Sequence, residues 1–238
     1  MLVGVGPGDP ELLTVAAVRA IQVADAVAYP VAREGQEGMA ATIAGPWIAT
    51  GQRRLPLVFP MVAEAEPRRV AWRQAADRLA AEVGLGQRVV LLCEGDSSLF
   101  ATASYVLLVL QEHHPRCPVR LIPGITSVAA AAAAGAWPLA LQREGLRILP
   151  TPETPAELEA LLDRAGRDGE VLALLKLSHR WPWVREVLES RGLLEGALLA
   201  QRVGWPDQVL GPAARLAATE RPYFSLLLIR QGWPAVLP

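Results

Sequence analysis

The chain has 238 residues, enough to bury a large core or to build two domains of about 100 residues each. With 52% hydrophobic and 20% charged residues and a net charge of -1, its composition excludes disorder and any bulk attraction to nucleic acid, so a partner must be recognised locally. The tract 128–141, the longest without a charged or strongly polar side chain, falls short of the roughly 20 residues that span a bilayer. No basic and apolar leader opens the chain, so a soluble, cytoplasmic protein without membrane contact is expected. Cys93 and Cys117 share no Cys-x-x-Cys spacing and read as buried thiols in a reducing compartment.

A short apolar run at the start breaks into Gly4, Gly6 and Gly8, then into a helix for which Thr14 is a credible N-cap. The glycines let the backbone turn sharply and approach a ligand, although a tight turn alone needs the same residues. A dinucleotide fold wants a third glycine of G-x-G-x-x-G at position 9, which is Asp9. Its carboxylate would repel a pyrophosphate and Pro7 lacks an N–H donor, so the loop suits a neutral or cationic ligand.

Val15, Val18, Ile21 and Ala24 fall at helical spacing, and Ala26 to Tyr29 reads as a strand closed by Pro30. Arg33, Gly35 and Gly38 then lie in a loop at that strand's carboxyl end, where ligands of open α/β sheets bind. Read alone, Arg33 is a solvated cation. A short helix over 39–44, a strand over 52–58 and a helix from Arg68 to Val83 follow. Arg88 to Cys93 is a continuous apolar strand of the kind buried on both faces of a parallel sheet.

That strand runs into Glu94-Gly95-Asp96, an acidic glycine loop suited to hydroxyls or amines, unless Asp96 merely caps the helix from Thr102 to Glu112. His113, His114 and His179 have no ligand set beside them, and no metal is expected. A strand over 119–122 ends at Pro123-Gly124, and Thr126 and Ser127 open an alanine-rich helix over 128–134, as caps or as hydroxyls offered to a ligand. Three strand ends therefore deliver polar loops to one edge of one sheet.

At 137–142 helical periodicity stops, dividing the chain into an N-terminal α/β domain, 1–140, and a C-terminal one, 141–238. The second carries strands over 146–149, 171–175, 197–203 and 223–229 and helices over 155–165 and 181–191. Lys176, after an apolar strand, and the turn Gln201 to Pro206 are candidates to face the first domain.

Taken together, V-G-V-G-P-G-D-P-E-L-L-T (Val3 to Thr14), A-D-A-V-A-Y-P (Ala24 to Pro30), L-L-C-E-G-D (Leu91 to Asp96), I-P-G-I-T-S (Ile122 to Ser127) and Y-F-S-L-L-L-I-R (Tyr223 to Arg230) resemble the tetrapyrrole methylase family. The resemblance implies two α/β domains with a cleft between them for S-adenosyl-L-methionine. It implies that Pro7 lines the cofactor site, with Glu94, Gly95, Asp96 and Leu99 on the amino acid and ribose portion, Thr126 and Ser127 continuing that wall, and Lys176, Leu177, Val203 and Gly204 around the adenine. A cofactor without phosphate agrees with the objection raised by Asp9.

Y-P-V-A-R (Tyr29 to Arg33), L-P-L-V-F-P-M (Leu55 to Met61) and C-E-G-D are similar to the members that methylate carbon 20 of precorrin-2 or cobalt-precorrin-2 in cobalamin biosynthesis. Pro30 stands where related uroporphyrinogen methylases have an Asp, and Ser97 where members often have Pro. No acid or base residue is therefore assigned. Tyr29, Arg33, Arg53, Arg54 and Arg143 are the candidates for the macrocycle and its carboxylates, and a homodimer is expected. Other readings are methylation at another ring carbon, a dinucleotide-dependent oxidoreductase, disfavoured by Asp9, and a non-catalytic tetrapyrrole carrier.

Overall fold

The computed structural model describes residues 1–234; the last four residues of the expected 141–238 domain lie outside the described residues. The chain divides into two units, Met1–Thr126 and Ser127–Pro238.

In the first unit β1 (Leu2–Gly4), β2 (Ala26–Val31), β3 (Arg53–Val58), β4 (Val89–Cys93) and β5 (Leu121–Ile122) form one sheet in the order β3-β2-β4-β1-β5. Every pairing is parallel. The uninterrupted apolar runs of β1 and β4 are buried throughout, as strands covered on both faces must be, whereas β3 alternates as an edge strand. The helices are α1 (Val15–Gln22), α2 (Met39–Ile43), α3 (Ala65–Gly84) and α4 (Thr102–His113). Thr14 caps α1, accepting from the Ala17 amide at 3.1 Å. α3 begins ahead of the expected Arg68 because Pro67 falls in its first turn, where a missing N–H costs nothing. Leu79 of α3 and Val106 and Leu110 of α4 close the core over Leu2, Leu91 and Cys93.

Because all five strands run the same way, their following loops gather at one end. The other end is an ionic rim, with Arg88 bidentate on Asp25 at 2.9 and 3.1 Å and Arg53 paired with Glu82.

The second unit holds α5 (Ser127–Ala134), β6 (Gly145–Pro150), α6 (Pro155–Asp168), β7 (Glu170–Leu175), α7 (Trp181–Ser190), β8 (Ala197–Gln201), β9 (Val209–Pro212) and β10 (Ser225–Ile229). Its sheet runs β6-β7-β10-β8-β9; β6 and β7 are parallel and the other pairings antiparallel. α6 starts with a reciprocal capping box between Thr154 and Glu157 and stops at Gly169 in the left-handed region.

The division precedes the alanine-rich α5 rather than the 137–142 segment. A Cβ on Gly135, just past α5, would stand 2.5 Å from Leu198 Cδ2, so small residues let this part of the chain press against β8. The 137–142 segment, expected as a linker, is itself bound into the second unit. Arg230 donates to both carboxylate oxygens of Glu144 at 2.8 Å, and Trp137 and Trp233 lie 4.6 and 4.3 Å from its guanidinium. No helix among the described residues is long and apolar enough to cross a membrane.

Arg230 is 4% exposed. Removing its partner by Glu144→Ala strands a buried cation and should lower the stability of the second unit by about 3 to 5 kcal/mol in urea titrations. The Arg230 hydrogen bonds hold the Glu144 carboxyl below its usual range. A carboxylate held down in the folded state contributes stability that is present above its ordinary value and lost as pH falls through the folded one. Calorimetry should therefore show an acid-side fall in melting temperature below about pH 4.5 that is shallower in the variant.

Candidate functional site

At the carboxyl end of the first sheet three loops meet with almost no space between backbones. A Cβ on Gly4 would lie 2.7 Å from both Gly124 N and Gly95 O, and one on Gly124 would lie 2.2 Å from Gly95 O. Only glycine fits. Gly6 and Gly95 exchange amide hydrogen bonds of 3.1 and 2.8 Å, both with positive φ, 77° and 66°.

Side chains then fix the junction. Asp96 Oδ2 accepts from the Gly124 amide at 2.9 Å, while Oδ1 takes the Ser98 amide and hydroxyl at 2.8 and 2.6 Å. Burial opposes its ionisation, but the hydrogen bonds from Ser98, Gly124 and Ser97 together keep its carboxyl below the usual range. Asp96 thus does not cap α4, whose N-cap is Ala101 without a side-chain bond. The Ser97 hydroxyl, buried, donates to the Ile122 carbonyl at 3.1 Å, a tie that proline could not make. Asp9 turns onto its own loop and accepts from Glu11 N at 2.8 Å. Thr14 reaches the Pro123 carbonyl at 3.5 Å while capping α1.

Glu94 leaves the junction and accepts from Ala40 N, in the first turn of α2, at 3.2 Å. Desolvation raises its pKa, against the pull of its own amide and that of Ala40. Tyr29, at the end of β2, is buried against Gly38. Arg33 is exposed on the loop between them, at the same end of the sheet as the glycine junction.

Two candidates are corrected by the register. Arg53 pairs with Ala26 and Arg54 with Val27, at the amino end of the parallel strands and about 15 Å of extended chain from the loops. Arg53 is engaged by Glu82 on that side. Both are withdrawn from the macrocycle. His114, expected to lack an acidic partner, binds Asp77 of α3 at 2.6 Å.

In the second unit the Lys176-Leu177 and Val203-Gly204 turns follow β7 and β8, which point the same way, so they lie at one end of that sheet. Leu177 is fully buried among Leu174, Trp181 and Leu227, its amide donating to the Ser225 carbonyl at 3.2 Å. Lys176, Ser178 and Arg202 have φ of 60°, 49° and 47°, a left-handed strain gathered on this rim. Tyr223 and Phe224, edge to face at 5.2 Å and 44% and 45% exposed, stand beside them, with Lys176 Nζ 5.6 Å from the Tyr223 ring. The strand expected over 223–229 takes in that pair, whereas β10 begins at Ser225; Pro222 is the local signal for the later start. Arg143 precedes β6, at the opposite end of this sheet from Lys176, and does not join the cluster.

The first-unit loops present glycine backbone, carboxylates and a proline without a donor, which suits a cofactor lacking phosphate and carrying positive charge.

Residues 1–217 match the model of the family described as Tetrapyrrole (Corrin/Porphyrin) Methylases. The cobalamin biosynthesis protein CobIJ of Mycobacterium tuberculosis is 38% identical over 97% of this chain, which spans 45% of that relative's length. The precorrin-2 C(20)-methyltransferase of Sinorhizobium sp is 33% identical, covering 97% of this chain and 94% of its own. Among solved structures, the methyltransferase CobJ superposes with a TM-score of 0.69 at 25% identity, over 96% of this chain and 92% of that one.

The glycine junction has a direct test. Gly124→Ala drives a Cβ into the Gly95 carbonyl and should destabilise the protein by about 3 kcal/mol or more. Gly51→Ala, with open space around its Cβ, should shift stability by less than about 0.5 kcal/mol in the same urea titrations.

Proposed function

The chain belongs to the tetrapyrrole (corrin/porphyrin) methylase family, and on that premise we propose that it transfers a methyl group from S-adenosyl-L-methionine to carbon 20 of precorrin-2 or cobalt-precorrin-2 in cobalamin biosynthesis. The observation that carries the reading is the end-to-end match to a precorrin-2 C(20)-methyltransferase, covering 94% of that relative. The phosphate-free character of the glycine loops supports the cofactor.

When bound, S-adenosyl-L-methionine supplies an electrophilic methyl group on a sulfonium, an intrinsically good leaving group. Pro7 would line its site and Gly95, Asp96 and Leu99 would hold its amino acid and ribose, with Thr126 and Ser127 continuing the wall; Glu94, expected among them, is engaged by the Ala40 amide and is withdrawn from that set. The Ser98 and Gly124 bonds fix the Asp96 carboxylate in advance and keep it charged. The adenine contacts Lys176, Leu177, Val203 and Gly204 are proposed on the resemblance alone. An electron-rich meso carbon of a reduced tetrapyrrole is itself the nucleophile, so the protein's work is proximity and orientation.

Arg33 is the cation we assign to the macrocycle's carboxylates, since it is exposed at the carboxyl end of the first sheet. We also propose a homodimer, which light scattering at micromolar concentration tests; a monomeric mass counts against it.

Turnover of precorrin-2 followed by NMR of the product should show the new methyl group on carbon 20; a methyl elsewhere on the ring would overturn the assignment. In the same assay Arg33→Ala should raise the macrocycle KM by about tenfold and leave S-adenosylhomocysteine affinity near wild type. Arg33→Lys should fall between, because an ammonium lacks the two parallel hydrogen bonds of a guanidinium. Wild-type kinetics in the alanine variant would return Arg33 to a solvated loop.

A further inference from the structure

We propose that Glu94 is a positioning residue: by accepting the Ala40 amide it ties the loop that carries Arg33 to the glycine junction, and so sets where a macrocycle sits relative to the methyl donor. This rests on the functional reading above. The tie joins residues 54 apart in sequence. On one side, Glu94 is the residue before Gly95, whose amide and carbonyl are both taken by Gly6. On the other, Ala40 is fully buried in the first turn of α2, two residues past the Gly38 that packs on Tyr29.

Between these anchors residues 32–37 are exposed. Their hydrogen bonds are local, with Gln36 N reaching Arg33 O at 3.4 Å and, in its favoured amide orientation, the Gln36 side-chain carbonyl accepting from Arg33 Nε at 2.9 Å. The loop's place therefore depends on where its two ends are held. β2 holds the first through its pairing of Val31 with Val58, and Glu94 holds the second. Burial disfavours the Glu94 charge, so the geometry uses the carboxyl as an amide acceptor, more than as a counter-ion.

The test compares Glu94→Gln, which keeps an acceptor oxygen, with Glu94→Met, which keeps the length and removes it. S-adenosylhomocysteine affinity is read by calorimetry, and precorrin-2 affinity by absorbance titration in the presence of S-adenosylhomocysteine. The methionine variant should bind precorrin-2 about fivefold to tenfold more weakly, with a matching rise in KM, and S-adenosylhomocysteine within about twofold of wild type. The glutamine variant should recover precorrin-2 affinity to within about twofold. Ala40→Pro approaches the tie from its other end, removing the amide at a second helical position like that of Pro182 in α7, and should show the same weakened precorrin-2 binding with near wild-type S-adenosylhomocysteine affinity where the methionine variant does not fold.

Loss of S-adenosylhomocysteine affinity alone would place Glu94 on the cofactor and overturn the proposal. So would a glutamine variant as impaired as methionine, or variants indistinguishable from wild type. Wild-type protein that binds neither S-adenosylhomocysteine nor precorrin-2 would instead overturn the functional reading, and this inference with it.

Discussion

Three backbones approach one another at Gly4, Gly95 and Gly124 more closely than any side chain allows, and the first unit is arranged around that contact. The approach brings the ends of β1, β4 and β5 into one surface, because each glycine stands at or just past a strand's last residue. Nearby polar groups are then consumed in holding it. Asp96 spends its oxygens on Ser98 and Gly124, and Ser97 spends its hydroxyl on Ile122. A carboxylate committed in this way is preorganised: it loses no rotamer freedom when a ligand arrives.

The parallel register does the sorting that composition cannot. Arg33 and Arg53 are both exposed arginines beside β-strands, and nothing in their types separates them. Register does, since β2 and β3 run side by side and put one residue beyond the carboxyl end and the other at the amino end. Arg53 and Arg88, at the amino end, are absorbed into ion pairs with Glu82 and Asp25. Exposed pairs of this kind add little stability, but they keep stray cations engaged away from the carboxyl-end loops.

Much of the first unit was legible because its signals are local. The Thr14 cap, the apolar runs of β1 and β4 and the glycines after them are read within a few residues. What escaped was set at long range. Whether Asp96 caps α4 or reaches Gly124 depends on where the chain runs just past β5, 28 residues on. β9, with its Gly211-Pro212, has a turn's composition and becomes a strand only by pairing with β8. α5 has no amphipathic signature, so only its packing assigns it to the second unit. Tyr223 and Phe224 have strand propensities, yet Pro222 and the Lys176 turn leave them on a rim.

The order of strands in the second sheet bears on how the protein is made. Among the described residues β10 is the last strand to be synthesised, and it lies between β7 and β8. Until Ile229 has left the ribosome, β7 and β8 each keep an unpaired edge, with Leu172, Leu174 and Leu199 lacking the strand that bridges them. The first unit has all its strands by Ile122 and can close while the remainder is still being translated. The second must wait for a single late insertion, which Arg230 latches one residue afterwards by reaching back to Glu144 and Trp137. A chain that stops between residues 201 and 225 therefore has a complete first unit and, in its second, open edges on β7 and β8.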